Sequence, residues 1–287
     1  MERAVVLCTD VIKYQAYLRE EEMSEATIRK YIHDVELFYE KLSNGKNVTK
    51  DAVIEYKNIL RTTYKTASVN SMLVAVNGFL KFLGLSECCV KLLKRQTDFC
   101  RNDKELTRNE YFRLVQAAKT KKDPRLPLIM ETICCTGIRI SELKFITVES
   151  LKKGFAVVEC KGKQRSVFLP DELRKKLTVY CERKGLRSGL VFITRNGRAI
   201  DRSNIWTAMK HLAGTAKVAA QKIFPHNLRH LFALTFYRNT KDIAHLADIL
   251  GHSSIETTRR YTVESAGEHR KLLRMMKLTV PDGLLTA

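Results

Sequence analysis

Apolar residues recur every three or four positions through the first hundred residues, a spacing typical of helices packed on one side. The first of these helices is predicted to begin at a cap formed by Thr9 and Asp10. Its inward face is expected to carry Ile12, Ala16 and Tyr17.

Three further helices are predicted before residue 85. Ser24 and Thr49 are the expected N-caps of the second and third, the Ser-Asn-Gly at 43–45 is expected to end the second, and Gly84 is expected to end the fourth. The second helix is expected to bury the residues that share one face, which are Ile28, Tyr31, Ile32, Val35 and Phe38. Residues 1–98 are therefore predicted to form a four-helix domain, for which a protein–protein module is one interpretation.

The pattern changes after residue 98. Residues 99–104 are polar and lose the helical period, so they are predicted to be a linker. Residues 105–287 begin with a Thr107-capped helix and are mostly helical, but apolar β-formers flank a tight Lys-Gly-Lys turn at 161–163, which predicts a hairpin. The expected fold class is mainly α with a small antiparallel β-sheet (α+β).

The end of the chain is predicted to form a short amphipathic tail helix. Its apolar residues are Leu272, Leu273, Met275 and Met276. Two interpretations stay open: the helix docks on a neighbouring subunit, or it packs on its own domain.

The charge of the chain is large and uneven. The net charge is +20, and residues 1–103 carry 16 basic and 14 acidic side chains, whereas the remaining residues carry 35 and 17. A basic surface kept for solubility would not need to be concentrated in one half. The distribution instead favours a polyanionic partner for the second domain.

Cysteine usage and apolar runs set the expected location. The eight cysteines include no Cys-x-x-Cys motif and no zinc spacing, so free thiols in a reducing cytoplasm are expected, without a metal. The N-terminus lacks the layout of a signal peptide, and the longest apolar run, residues 126–138, is broken by Glu131. The protein is therefore expected to be cytoplasmic, with no membrane partner.

Candidate chemistry begins with the segment "PHNLRHLF" at 225–232. At helical spacing, His226, Arg229 and His230 fall on one face. The opposite face is expected to anchor the helix and carries Leu228, Leu231, Phe232 and Thr235. Two imidazoles and a guanidinium on one face indicate a site for an anion rather than an ordinary polar surface.

A second arginine lies in apolar surroundings in the segment "CTGIRISEL". Arg139 needs an anionic partner there, which is either Glu142 one turn on or a phosphate held by both arms of the guanidinium. The chain has no Walker loop and no paired carboxylates for two-metal chemistry. A phosphodiester held by arginines and histidines requires a nucleophile, and Tyr261 is the one tyrosine that directly follows an Arg-Arg pair.

These segments together resemble a known family. "TGIRISEL", the hairpin lysine, "HNLRH" and "LGHSSIETTRRY" occur in the order and at the spacings of the tyrosine recombinases, the phage-type integrases and Xer-like recombinases. The resemblance covers nearly the whole chain and implies an N-terminal four-helix core-binding (SAM-like) domain before a catalytic domain. It also implies an enzyme that breaks and rejoins DNA strands without a cofactor.

The resemblance implies a role for each matching residue. Arg139 and Arg229 correspond to the arginines that hold the scissile phosphate and stabilise the transition state. His226 corresponds to a proton-transfer group, His252 to a hydrogen-bond donor to the phosphate, and Tyr261 to the nucleophile. His230 matches a supporting residue of the family.

The remaining role is that of the hairpin lysine, which corresponds to the general acid for the leaving 5′-oxygen. The common family hairpin reads Lys-Gly-x-Lys-x-Arg, but here the turn is one residue shorter. Alignment from the strand before the turn selects Lys161, and Lys163 is the alternative.

The implied function is site-specific recombination through a 3′-phosphotyrosyl intermediate and a Holliday junction, for integration or excision of a mobile element. The expected partners are double-stranded DNA sites, a homo-tetramer on that DNA and an accessory DNA-bending or directionality protein, in association with a prokaryotic nucleoid. Three alternatives stay open: Xer-like dimer resolution, a type IB topoisomerase, and a non-catalytic regulator whose helix-turn-helix spans residues 241–262.

Overall fold

A computed structural model of the chain describes residues 4–42, 46–94, 105–121, 123–160, 163–252, 254–259, 261 and 274–276. The chain divides into two compact units, Met1–Thr97 and Asp98–Ala287. The Ser-Asn-Gly at 43–45 and the linker predicted at 99–104 lie outside the described residues.

The first unit is the predicted bundle of four helices. They are α1 (Cys8–Glu20), α2 (Glu25–Lys41), α3 (Lys50–Thr63) and α4 (Thr66–Phe82). A two-residue strand pair that the sequence did not predict, β1 (Ala4–Val5) with β2 (Asn47–Val48), runs antiparallel. The core centres on α4, where Val69, Leu73, Val76, Phe79 and Leu80 are fully buried.

The predicted caps of α2 and α3 are confirmed. The Ser24 hydroxyl accepts the backbone N–H of Thr27, and the Thr49 hydroxyl accepts that of Ala52, both at 3.2 Å. In α2 the predicted face is also correct, because its residues are buried or half-buried. Gly84 follows α4 with a φ of 76°, the left-handed conformation that ends many helices.

The prediction for α1 was wrong in both its start and its face. The helix begins at Cys8, and the Asp10 carboxylate accepts the backbone N–H of Leu7 at 2.9 Å from inside the first turn. The buried residues are Val11, Tyr14 and Leu18, whereas Ile12, Ala16 and Tyr17 are exposed.

The reason for the shifted face lies on α4. The Tyr14 ring packs 5.2 Å from that of Phe79, and its hydroxyl occupies the space where a side chain on Gly78 would begin, 2.7 Å from an added Cβ. The missing side chain at Gly78 therefore makes a slot for Tyr14. Burying this large ring outweighs burying Ile12.

The second unit is mostly helical with one antiparallel hairpin, as predicted. Its helices are α5 (Arg108–Lys119), α6 (Arg125–Thr136), α7 (Val148–Lys153), α8 (Asp171–Arg183), α9 (Arg202–Lys210), α10 (Ala213–Ala216), α11 (Pro225–Thr240), α12 (Ile243–Leu250) and α13 (Ile255–Arg259), with 3₁₀ helices at Ile140–Phe145 and Ala220–Lys222. The hairpin pairs β3 (Phe155–Cys160) with β4 (Lys163–Phe168) in a register that sets Phe155 opposite Phe168 and Cys160 opposite Lys163.

The core of this unit brings the hairpin and the helices together. Buried residues from α5, α6, the inner face of the hairpin, α8, α9 and the first turns of α11 form one apolar cluster. A smaller cluster joins α11 and α12 to Tyr261 and consists of Ala233, Leu234, Leu246, Leu250 and Tyr261. The site residues that follow lie where these two clusters meet.

The predicted tail helix falls largely outside the described residues. Leu272 and Leu273 are not described, while residues 274–276 are helical and exposed. Among the helices that are described, none combines the length and the apolar character needed to cross a bilayer.

Gly137 allows α6 to end close against α11. Its φ is 67°, and a Cβ there would lie 2.5 Å from Cδ1 of Phe232 and 3.1 Å from Cδ2 of Leu250. Only glycine combines this backbone conformation with so little space. The tight ending of α6 sets the position of the residues that follow, including Arg139.

We expect Gly137→Ala to lower the free energy of unfolding of this unit by on the order of 3 kcal/mol, since backbone strain and overpacking add. Gly185→Ala is the matched control, because Gly185 has a φ of 69° but nothing within 4 Å of an added Cβ. It should cost about 1 kcal/mol from strain alone. Urea unfolding followed by the single tryptophan, Trp206, measures both, and equal losses would contradict the packing argument.

Candidate active site

Arg229 is the most deeply buried charged group of the site. It lies on the second turn of α11, is 1% exposed, and donates from Nη1 to the carbonyl oxygen of Gly137 at 2.6 Å and from Nη2 to that of Leu250 at 2.7 Å. These carbonyls end α6 and α12, so the guanidinium lies at the negative ends of two helices. Burial, aided by Arg139, lowers the pKa of Arg229 to about 10, so it stays charged at neutral pH.

His252 lies directly after Gly251, the left-handed residue that ends α12. Its Nε2 is 3.1 Å from Nη2 of Arg229, and its Nδ1 is 2.8 Å from Oγ1 of Thr258. The imidazole is therefore held from both ring nitrogens, between the buried arginine and α13.

Tyr261 follows α13 and is 2% exposed. Its ring centroid is 5.0 Å from that of His230, edge on, and 6.1 Å from that of His252, stacked with an interplanar angle of 12°. The hydroxyl is buried and forms no hydrogen bond with any part of the chain that the structure describes. A buried hydroxyl usually has a partner, so this atom is a candidate for a group that acts on something outside the fold.

Arg139 forms the N-cap of the 3₁₀ helix Ile140–Phe145 and pairs with Glu142. Its Nη1 donates to Oε1 of Glu142 at 2.8 Å, and its backbone N–H donates to Oε2 at 2.7 Å. The partner considered from the sequence is thus present. The Arg139 side chain nevertheless remains 32% exposed.

Arg165, on the inner face of β4, is a second partner of Glu142 that sequence reasoning missed. It donates from Nη1 and Nη2 to the two carboxylate oxygens at 3.1 and 2.7 Å, and from Nε to the carbonyl oxygen of Ile249 at 3.0 Å. Burial opposes the charge of Glu142, which is 2% exposed, but hydrogen bonds from Arg165 and Arg139 outweigh it and hold the pKa of Glu142 below its ordinary value. The signal for Arg165 is an arginine two residues before Val167, which is a buried apolar residue on the same face of the strand.

These groups leave an excess of positive charge. Glu142 carries one negative charge, whereas Arg139, Arg165 and Arg229 carry three positive charges that act on one another within the site. A phosphodiester carries one negative charge and has oxygens that accept hydrogen bonds from guanidinium groups, so it can offset the excess positive charge of this cluster.

The structure brings together four of the six predicted site residues, Arg139, Arg229, His252 and Tyr261, with His230 beside Tyr261 as a supporting group. His226 lies one turn before Arg229 and is exposed. Lys161 lies outside the described residues, and Lys163 begins β4 opposite Cys160.

The predicted apolar face of α11 was correct for Leu228 and Leu231, which are buried, and wrong for Thr235. Arg229 and Asn227 are buried, whereas Thr235, assigned to the anchoring face, is exposed. Arg229 is buried because the C-terminal ends of α6 and α12 pack over it. Its guanidinium donates hydrogen bonds to backbone carbonyl oxygens at these two helix ends. Thr258 is the other site residue that the sequence analysis missed, since only the folded chain sets it against His252.

Comparison with known proteins gives consistent matches. Residues 104–268 match the family described as "Phage integrase family", and residues 11–85 match "Phage integrase, N-terminal SAM-like domain". The chain is 29% identical over 269 residues to the tyrosine recombinase XerA of Pyrococcus furiosus, which covers 91% of each protein.

Two solved structures are also similar. A crystal structure of XerA recombinase is 26% identical, covers 95% of this chain and 99% of that chain, and superposes with a TM-score of 0.53. A crystal structure of a lambda integrase tetramer bound to a Holliday junction is 16% identical, covers 90% and 77%, and has a TM-score of 0.72. Together with the family matches, they confirm the predicted fold class.

Glu142→Gln should lower the free energy of unfolding by on the order of 3 kcal/mol at pH 7, because it leaves two arginines without their counter-charge. The pKa of Glu142 lies below its ordinary value of 4.5, so this stabilisation is fully present above pH 4.5 and is lost as the pH falls through the lower, folded-state value. The difference from wild type should therefore narrow below pH 4.5. Urea titrations at pH 7 and at several acid pH values, followed by Trp206 fluorescence, measure it.

Glu256→Gln is the control for this prediction. Glu256 also pairs with an arginine three residues along, Arg259 at 3.1 Å, but both side chains are exposed. We expect a change below about 1 kcal/mol at every pH. A difference between wild type and Glu142→Gln that stays constant with pH would show that packing, not charge, is the source.

Proposed function

Because the chain belongs to the phage integrase family and is a tyrosine recombinase, an enzyme that breaks and rejoins DNA at specific sites, we propose that the hydroxyl of Tyr261 is its nucleophile. One observation carries this assignment: the hydroxyl is buried without a hydrogen-bond partner among the described residues, beside His252 and next to a surplus of guanidinium charge. Membership of this enzyme class also excludes the alternative interpretation of the chain as a non-catalytic regulator with a helix-turn-helix at residues 241–262.

In the proposed reaction the Tyr261 oxygen attacks the phosphorus of a DNA phosphodiester. The bond from phosphorus to the 5′-oxygen breaks, and the 3′-phosphate stays on the tyrosine. A 5′-hydroxyl from a partner strand then attacks this link, releases Tyr261 and forms a Holliday junction after one pair of exchanges. One ester bond replaces another at each step, so the energy of the broken bond is conserved.

The remaining residues take the following proposed roles. Arg139 and Arg229 hold the phosphate and stabilise the charge that grows on its oxygens in the transition state. His226 transfers a proton at the phosphate, and His252 donates a hydrogen bond to it. Lys161 protonates the leaving 5′-oxygen, with Lys163 as the alternative.

The assembly is a further part of the proposal. Residues 1–98 and 105–287 act as the core-binding and catalytic domains that clamp a duplex, and four copies act on two sites. Support comes from the net charge of +20 and from the similar lambda integrase, which was solved as a tetramer bound to a Holliday junction. We also propose that the enzyme acts with an accessory DNA-bending or directionality protein and that it associates with the prokaryotic nucleoid.

For the biological role we propose integration or excision of a mobile element. Resolution of dimeric replicons is the second candidate, and the Xer name of the similar P. furiosus protein favours it. Sequencing of host DNA that becomes covalently bound to the protein separates the two roles. Sites at the ends of the element beside the coding region support the first role, and one site elsewhere in the chromosome supports the second.

Tyr261→Phe should abolish the covalent protein–DNA complex on a nicked suicide substrate, while DNA affinity stays within about twofold of wild type. Tyr56→Phe is the matched control, because Tyr56 carries the other buried hydroxyl without a partner among the described residues but lies in the first unit. It should form the complex at the wild-type rate. Denaturing gels with end-labelled DNA measure both, and a covalent complex with Tyr261→Phe would refute the assignment.

Lys161→Ala should slow cleavage of ordinary DNA by about 10²–10⁴-fold, the usual contribution of a general acid. A substrate with sulfur at the bridging 5′ position should restore the rate, because a thiolate leaves without a proton. Lys163→Ala is the matched variant two residues away and should cleave both substrates at nearly the wild-type rate. The reverse pattern would assign the general acid to Lys163.

A further inference from the structure

Both ring nitrogens of His252 have partners whose chemistry differs. The guanidinium of Arg229 can only donate, so the contact of 3.1 Å between its Nη2 and Nε2 of His252 requires a lone pair on Nε2. The ring proton therefore lies on Nδ1 and is donated to Oγ1 of Thr258 at 2.8 Å. The two contacts select one tautomer of the imidazole.

We infer that Thr258 is a positioning residue for the strand-cleavage reaction: it holds the ring plane of His252 and accepts the Nδ1 proton of the tautomer that Arg229 selects. This inference rests on the proposed function, in which His252 contacts the scissile phosphate. Thr258 is fully buried and forms the fourth position of α13, so its hydroxyl is held by the helix and is shielded from water.

Thr258 also contacts the nucleophile through its backbone. The N–H of Tyr261 donates to the carbonyl oxygen of Thr258 at 2.9 Å. One residue thus holds the His252 ring through its side chain and the Tyr261 backbone through its carbonyl. This arrangement accounts for the near-parallel stacking of the two rings, with an interplanar angle of 12°.

The chosen tautomer determines which atom of His252 can serve the phosphate. With the Nδ1 proton held by Thr258, Nε2 is the nitrogen that lies beside Arg229. When Nη2 of Arg229 turns to a phosphate oxygen, Nε2 takes up one proton from solvent and donates it in a hydrogen bond to the same phosphate. Without the Thr258 hydroxyl, the buried Nδ1 proton has no acceptor, so the preference for the Nδ1–H tautomer is weakened and the ring can rotate.

The test compares three substitutions in α13. Thr258→Val replaces the hydroxyl by a methyl group of similar size, Thr258→Ser keeps the hydroxyl, and Thr257→Val makes the same change at the exposed neighbour. Each protein is labelled with ¹⁵N-histidine, and long-range ¹H–¹⁵N spectra report the tautomer of His252, whose signal is assigned by its loss in His252→Gln. Trp206 fluorescence during urea unfolding checks that each variant is folded.

We expect the Nδ1–H pattern in wild type, Thr258→Ser and Thr257→Val, and its loss or mixing with the Nε2–H pattern in Thr258→Val. Single-turnover cleavage by Thr258→Val should be slower by about 10–100-fold, the usual cost of losing a group that orients a site residue. DNA affinity should stay within about twofold. Thr258→Ser should recover most of the rate, which a role in packing alone does not require.

A Thr258→Val protein with the wild-type spectrum and the wild-type cleavage rate would overturn the inference. A changed spectrum with unchanged cleavage would also overturn it, because the tautomer would then not matter to the reaction. If wild-type protein forms no covalent complex with DNA, the proposed function fails instead, and that result is visible without any variant.

Discussion

The site depends on one buried guanidinium between two helix ends. Arg229 donates hydrogen bonds to the last carbonyl oxygens of α6 and α12, which have no donor within their own helices. The dipoles of these two helix ends stabilise its positive charge. The same contact sets the distance between the segment that leads to Arg139 and the segment that leads to His252. An arginine held in this way is part of the fold, and in its proposed role its charge is already in place when charge develops on a bound phosphate.

The second constraint on the site comes from Glu142. Its carboxylate holds the side chains of Arg139 and Arg165 in place but does not neutralise the positive charge of the site. It joins the 3₁₀ helix after α6 to the hairpin through Arg139 and Arg165, and Arg165 in turn reaches the carbonyl of Ile249 at the end of α12. The hairpin is therefore held in a fixed position relative to the C-terminal end of α12, which Arg229 also contacts. The remaining positive charge is available to a ligand because, among the residues that the structure describes, one carboxylate pairs with this group of three guanidinium side chains.

Local signals in the sequence were sufficient for the hairpin and for most of the helices, and they singled out candidate site residues that the fold brings together. Serine and threonine caps, the Gly84 ending and the motif residues Arg229 and Tyr261 are all readable within a few positions. Features that depend on contacts between distant segments were not. Tyr14 is buried because Gly78, far along the chain, leaves it a slot, and Arg165 and Thr258 acquire their roles only from partners that folding brings to them.

The buried hydroxyl of Tyr261 also bears on how such an enzyme searches a genome. A recombinase that slides along a chromosome touches a great many phosphodiesters that it must leave intact. Tyr261 is 2% exposed and packs with Leu246, Leu250 and two imidazoles, so in its proposed role the side chain has to turn outward before it can meet a DNA backbone. In that role, contact with arbitrary DNA leaves the strand intact unless binding at a correct site supplies the free energy needed to expose the tyrosine.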